Sequence, residues 1–480
     1  MTPSLLARAR PRAPGAAGPS ALLALAALLA LGGCASPTAP ESDHPANTAL
    51  QQRVPGAPPL PWNTEGGPST PSPFPAEPLT QDQAVAWSLQ NSPALRALLA
   101  RSEAEVARTR AAARPGVLGF SIERLTQGDE VEIGRTLSLG LFDVLSWPWR
   151  HQAAQRRIDA EQQKLARQVL QHVQATRSQW VRAVAAAQRQ AYQDEVLRAS
   201  TTAGELARRM QAAGHFSAAQ AAQHEATAIE ARLASVQARR HARNEREALV
   251  RLLGLRSDEA NALKLPDRLP AVPDRSDWTP EAVSQAARER RLDLRLAQAR
   301  WQASQAGRRD ANLRGIVDLE AAYRRDTSNE APVKRGPELG IRLVNIDFGA
   351  ATRRAAHQDE RAALADWQQA ALAAESQLRE RLSDHQATLE TAQQAGRTLA
   401  PVRQRLLNER LKQYNGMLIG PFELLSEART HVASVITALD AQRDFWLADA
   451  ALVAAIDGLD AEAPGATPTA SSPTTSEASH

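Results

Sequence analysis

From Leu79 onward apolar residues recur every three or four positions, the period of a helix that buries one face. Thr80 suits a helix cap ahead of Asp82. Val85, Leu89, Leu95, Leu98 and Val106 carry the stripe toward Ala113, where Arg114-Pro115-Gly116 stops it, and Pro93 must kink or interrupt the helix. A second stripe, with Leu165, Val169, Val173, Trp180, Val184, Tyr192, Val196, Leu206 and Met210, predicts one helix from about Trp149 to Ala213. Some 65 residues at ~1.5 Å each span roughly 100 Å. A third helix follows Gly214 through Ile229, Leu233, Val236, Leu249 and Leu252 to Gly254. Pro266, Pro270, Pro273 and Pro280 mark a linker, Glu281–Asn312 reads as helical again, and residues 349–414 carry another long stripe including Leu364, Trp367, Leu378, Leu382, Leu389 and Leu406. Helices this long with narrow stripes pack as coiled coils rather than around a spherical core.

Four short runs have period two instead. Leu118, Phe120 and Ile122 alternate with Gly119, Ser121 and Glu123; Val131, Ile133, Leu137, Leu139 and Leu141 alternate with Glu132, Gly134, Thr136, Ser138 and Gly140. Val317, Leu319, Ala321 and Tyr323, then Leu339, Ile341 and Leu343, repeat the pattern. One apolar row and one polar row over ~9–11 residues fits strands with lipid on one side and water on the other. Alternation alone fits edge strands of a small soluble sheet equally well. Arg135 interrupts the apolar row and needs an interface to reach. Four strands cannot close a barrel, and an open sheet edge is not tolerated in lipid, so a spanning chain must associate.

The elements occur twice. Gly214 and Gly416 are 202 apart, Gly254 and Gly458 are 204 apart, and Leu139-Gly140-Leu141-Phe142-Asp143 aligns with Leu343-Val344-Asn345-Ile346-Asp347. The predicted organisation is a leader over 1–33, a Pro-rich extended linker over 34–78, one repeat over 79–265, a second over 266–458, and a disordered tail over 459–480.

Composition narrows the function. Aromatic residues make up only 4% of the 480, thin for several enzyme-like cores, and one cysteine excludes a disulfide framework or a CxxC site. The net charge of +4 includes Arg8, Arg10 and Arg12; without residues 1–33 the balance is 54 basic against 53 acidic, no footprint for nucleic acid. Those arginines precede the apolar run Ala21–Leu31 and then Gly32-Gly33-Cys34, the layout of a secretory leader. Cys34 after small residues resembles a bacterial lipoprotein box, which implies an acylated Cys34, and Ala35 after it implies the outer membrane; an ordinary leader with an incidental cysteine is the alternative. GxxxxGK[ST], GxSxG and HExxH are absent, so no enzyme, cofactor or metal site is expected.

Over residues 79–458 the chain resembles the TolC-like outer-membrane efflux proteins. The resemblance rests on Leu79-Thr80 through Ala84 with Asn91-Ser92-Pro93-Ala94-Leu95, on Arg208-Arg209-Met210-Gln211-Ala212-Ala213-Gly214, and on Leu252-Leu253-Gly254. It implies a mainly α fold with a small transmembrane β part: a duplicated α-hairpin tunnel plus four strands per chain, completing a twelve-stranded barrel in a homotrimer. It also implies a passive efflux duct working with a periplasmic adaptor and an inner-membrane pump of the resistance-nodulation-division type. Arg324-Arg325-Asp326, Gly336-Pro337-Glu338-Leu339-Gly340 and Leu145-Ser146-Trp147-Pro148-Trp149-Arg150 look nearest to the heavy-metal branch. By the same resemblance Gly214, Phe216, Gly416 and Leu418 fall at periplasmic tips that contact the adaptor, and Glu423 and Glu427, four apart on one helical face, are a candidate gate. Trp147 and Trp149 suit either an interfacial aromatic belt or packing where strand joins helix. The competing reading is a periplasmic adaptor or a structural coiled-coil lipoprotein.

Overall fold

The computed structural model describes residues 44–62, 74–75, 77–114, 118–127, 129–314, 318–329, 332–342 and 349–459. The expected leader, Cys34, the strand positions Val317 and Leu343, the run 343–347 and most of the expected tail lie outside these. The first described element corrects the expectation of an extended linker. Pro45–Arg53 is a helix, α1, whose Ala46, Ala49 and Leu50 are buried against Leu165 and Val169. Pro45 stands at its start, where a missing N–H costs nothing, and no proline follows until the helix is over. Arg53 then donates to Asp457 at 3.3 Å and to the Arg290 carbonyl at 2.7 Å, while Arg290 reaches the same carboxylate at 2.9 Å.

The first stripe becomes two helices, α2 (Gln81–Asn91) and α3 (Pro93–Ala112). Thr80 and Gln83 form a reciprocal capping box, and Pro93 opens α3 instead of kinking a continuous helix. Strands β1 (Gly119–Gln127) and β2 (Glu130–Gly140) follow, and β2 passes directly into α4 (Leu141–Ala212). This helix starts eight residues before the predicted Trp149 and holds Pro148 near its beginning. The Arg150 guanidinium ties it to α3 by donating to the Ala112 and Arg114 carbonyls, at 3.2 and 2.5 Å, a cation on a helix C-terminus. At 72 residues α4 is about 108 Å long. α5 (Ala218–Leu253) packs back along it through a seam of small residues, Ala221, Ala231, Ser235, Ala238 and Ala242.

The second half repeats the order. A short α6 (Ser257–Ala262) and the linker lead to α7 (Pro280–Arg290) and α8 (Leu292–Arg314), broken at Arg291 as α2 and α3 are at Ser92. Strands β3 (Asp318–Ser328) and β4 (Lys334–Arg342) precede α9 (Ala350–Gln393), a π-helical stretch (Gln394–Leu399), α10 (Ala400–Asn415) and α11 (Pro421–Ile456). The widened turns end at Pro401, whose ring would clash with the Arg397 carbonyl in an α-helix. There Arg397 and Gln393 donate to the Val272, Pro273 and Asp274 carbonyls of the linker.

Each repeat closes on a left-handed glycine set against its own opening break. Gly254 (φ +71°) lies where an added Cβ would stand 2.6 Å from Pro93 Cδ and 3.0 Å from the Asn91 carbonyl oxygen. Gly458 (φ +72°) lies where one would stand 2.9 Å from the Asp293 nitrogen. The buried core is a string of small clusters along the helices, one around Leu89, Leu165 and Val169, another around Trp180, Val184 and Leu249. No helix among the described residues is long and apolar enough to cross a membrane.

Candidate functional site

The four strands form one antiparallel sheet in the order β1-β2-β3-β4. Asn329 links its two hairpin turns, accepting from the Val131 N–H at 2.9 Å and donating to the Asp129 carbonyl at 2.8 Å. The register sorts side chains by face, because alternate residues of a strand point oppositely. One face carries Phe120, Leu137, Tyr323 and Pro337 on one rung and Leu139, Ala321 and Leu339 on the next. Phe120, Ile122 and Leu339 are each about two-thirds exposed, far more than a buried sheet face permits. Among the described side chains the other face holds Glu123, Glu130, Glu132, Glu320, Asp326 and Glu338 with Arg324 and Lys334 in opposition, and the register adds the opposed pair Asp318 and Arg342 at its helix end. Arg324 sits 3.0 Å from Asp326 and 3.8 Å from Glu123. Arg135, isolated in the sequence, pairs across the ladder with Arg325, which pairs with Arg335.

Trp147 and Trp149 lie on the first turns of α4, just below the sheet, and both are more than two-fifths exposed. Leu141, Val144 and Leu145 beside them are exposed too, so the bare apolar surface continues from the sheet into the helix. Trp147 faces the His151 ring at 6.0 Å.

At the opposite end, the turns α4–α5 and α10–α11 are built differently. Gly214 takes φ +79°, and Ser217 starts α5 with a capping box to Gln220. Gly416 does not take that conformation: it has φ −82°, and Met417 takes φ +60° instead. That turn points Met417 and Leu418 outward, 93% and 78% exposed. Sequence reading missed the contact that joins the two tips. Phe422 packs on Phe216 at 4.6 Å and on His224 at 4.2 Å between ring centroids, and the 206-residue offset of the two phenylalanines was a usable signal. Desolvation and the nearby Arg429 hold the His224 pKa below its usual value.

Glu423 and Glu427 lie on α11 near the tip, and each has a guanidinium on α10. Glu423 accepts from Arg410 at 3.0 Å, and Glu427 is 3.7 Å from Arg403. Within one chain they act as inter-helix ties. Farther from the tips, two apolar stripes are exposed among the described residues: Ile229, Leu233 and Val236 on α5, and Leu399, Val402 and Leu406 from the end of the π-helical stretch into α10. Counted from the tip turns at ~1.5 Å per residue, they lie about 18–28 Å and 15–26 Å away, the same level of the structure.

No family model matches the sequence, and no curated protein matches it. Solved structures do. The Campylobacter jejuni CmeC outer membrane channel superposes with a TM-score of 0.66 at 11% identity, covering 82% of this chain and 92% of that one. The outer membrane protein VceC of Vibrio cholerae gives 0.62 at 14%, covering 79% and 96%. A membrane protein from Pseudomonas aeruginosa gives 0.62 at 19%, covering 83% and 95%. The chain therefore has the TolC-like fold, a duplicated helical hairpin carried on a four-stranded antiparallel sheet.

Proposed function

We propose that this chain is the outer-membrane channel of an efflux assembly, a passive duct made by three copies of itself. The observation that carries the reading is the sheet. Its apolar face is bare, its other face is polar, and β1 and β4 have no outer neighbour among the described residues. Such edges are satisfied in lipid only by closure, and three copies of four strands give a twelve-stranded barrel. The matching levels of the two uncovered helical stripes support the same assembly, because a ring lays the α5 stripe of one copy against the α10 stripe of the next.

The lumen then carries seven carboxylates against three cations per chain along the paired strands, a field that favours cationic cargo. This supports heavy-metal cations among the exported solutes, as does the resemblance of the sheet segments to that branch. The exposed Met417 and Leu418, with Gly214, Phe216 and Gly416, form the surface offered to a periplasmic adaptor, and an inner-membrane pump supplies the energy. The Glu423–Arg410 and Glu427–Arg403 ties hold the second hairpin closed until the adaptor engages. Acylation of Cys34 anchors the chain to the same membrane.

Planar-bilayer recording of the purified protein tests the reading. Stable, cation-selective steps are expected, and a reversal potential shifted toward the chloride side in a KCl gradient would refute the acidic lumen. Absence of any conductance from a preparation rich in β signal would refute the duct.

A further inference from the structure

The apolar face of the sheet carries four arginines and no carboxylate. Arg135, Arg325 and Arg335 occupy one rung across β2, β3 and β4, and Arg124 lies on the next rung, beside Ile133. All four are exposed, and among the described residues none of the three in the row has an ion-pair partner. The acids of the sheet, Glu123, Glu130, Glu132, Glu320, Asp326 and Glu338, stand on the opposite face. Like charges directly opposite in a ladder repel, so a row of three needs an anion from outside the chain.

The position of the row says which anion. Arg124, Arg325 and Arg335 lie near the hairpin turns and Arg135 midway along β2, with Leu137, Phe120, Tyr323 and Leu339 between the row and α4. From Arg135 to the end of β2, five residues at ~3.3 Å tilted by ~40° contribute about 13 Å; the first turns of α4 down to Trp149 add about 12 Å. The sum, about 25 Å, equals the height of the apolar band of a membrane barrel, with aromatic residues at one border and the arginines at the other. Guanidinium binds phosphate in a bidentate fork and is the favoured side chain for it.

We infer that Arg135, Arg325 and Arg335, with Arg124 beside them, form a seat for the phosphate groups of anionic lipid in the leaflet at the hairpin-turn end. This rests on the reading of the sheet as membrane-spanning. In three copies the seats join into a basic girdle around the barrel, which neutralises the repulsion and fixes the depth of insertion.

The test uses the full-length protein in phosphatidylcholine vesicles with trace spin-labelled phosphatidic acid or spin-labelled phosphatidylcholine. The motionally restricted fraction of each label reports its affinity for the protein surface. The parent protein is expected to prefer phosphatidic acid by about fivefold, as one surface cation per restricted lipid predicts. A variant with Arg135→Gln, Arg325→Gln and Arg335→Gln is expected to show a ratio near one with unchanged conductance. The single Arg335→Gln, on an edge strand, serves if the triple variant does not fold, and should lower the ratio measurably. Arg324→Gln, on the opposite face, should leave it unchanged. Equal preference in parent and variants, or none in the parent, overturns the lipid seat while conductance keeps the channel reading intact. Absence of both restricted lipid and conductance overturns the spanning sheet and the seat together.

Discussion

Four glycine-to-alanine substitutions separate two physical penalties. Gly396 is exposed, has no unusual φ, and an added methyl meets nothing within 4 Å. Gly396→Ala should therefore be neutral or stabilising by up to about 1 kcal/mol. Gly214 has φ +79° but open space around it, so Gly214→Ala costs the left-handed strain alone, about 1–2 kcal/mol. Gly254 and Gly458 have the same backbone strain and a wall besides. At Gly254 the wall is Pro93 and the Asn91 carbonyl; at Gly458 it is the Asp293 carboxylate, which two hydrogen bonds from Arg291 hold in place, with the Asp293 backbone nitrogen at 2.9 Å. Overpacking adds about 1–3 kcal/mol, giving roughly 2–5 kcal/mol for Gly254→Ala and Gly458→Ala. Equilibrium urea unfolding of the detergent-solubilised protein, followed by helical circular dichroism, measures all four. A Gly254 or Gly458 variant no less stable than Gly214→Ala would refute the idea that each repeat locks its last glycine into its own opening break.

Three further outcomes are expected. Leu233→Cys combined with Val402→Cys, in a Cys34→Ser background, should give disulfide-linked dimers and trimers on a non-reducing gel after mild oxidation; monomer alone would refute the stripe-to-stripe ring. Burial holds the pKa of His172 on α4 below its usual value, so its contribution to stability is full above the unfolded pKa near 6.5 and is lost as pH falls below it. Melting temperature should drop between pH 7.5 and 5.5, and His172→Gln should flatten that drop; an equally steep profile in the variant removes His172 as the cause. Gly416→Trp should abolish export yet leave assembly unchanged, since a Cβ there meets only ordinary contacts at 3.6 Å and beyond. Normal export from a solute-sensitive deletion strain carrying this variant would remove the docking role of the second tip.

The helices were legible in the sequence because their stripes are long and the Ala-rich seams leave the 3.6-residue period undisturbed. The sheet was legible for the related reason that its two faces differ in polarity. Helix starts were less so: Leu141–Pro148 has turn-like residues, yet α4 begins at Leu141 and carries Pro148 at its eighth residue at the cost of one ladder hydrogen bond, while Arg150 ties the segment to α3. Pro45–Arg53 was hidden by the prolines around it, although its own interior holds none. Pairings across sequence distance could not be read from one chain. The Arg135–Arg325–Arg335 row depends on strand register, and the ties from Glu423 and Glu427 to Arg410 and Arg403 depend on how two helices face each other. Positive φ at Met417 instead of Gly416 had no sequence signal at all.

The two long arms of the chain differ mechanically. α4 runs without a break from Trp149 to Ala212, whereas its counterpart loosens at Gln394–Leu399 before Pro401. In the proposed ring, stiff struts alternate around the circumference with jointed ones. Torque applied at the first tip reaches the barrel rim, while displacement of the second tip is absorbed part-way along, so the mouth can widen without shearing the wall embedded in lipid.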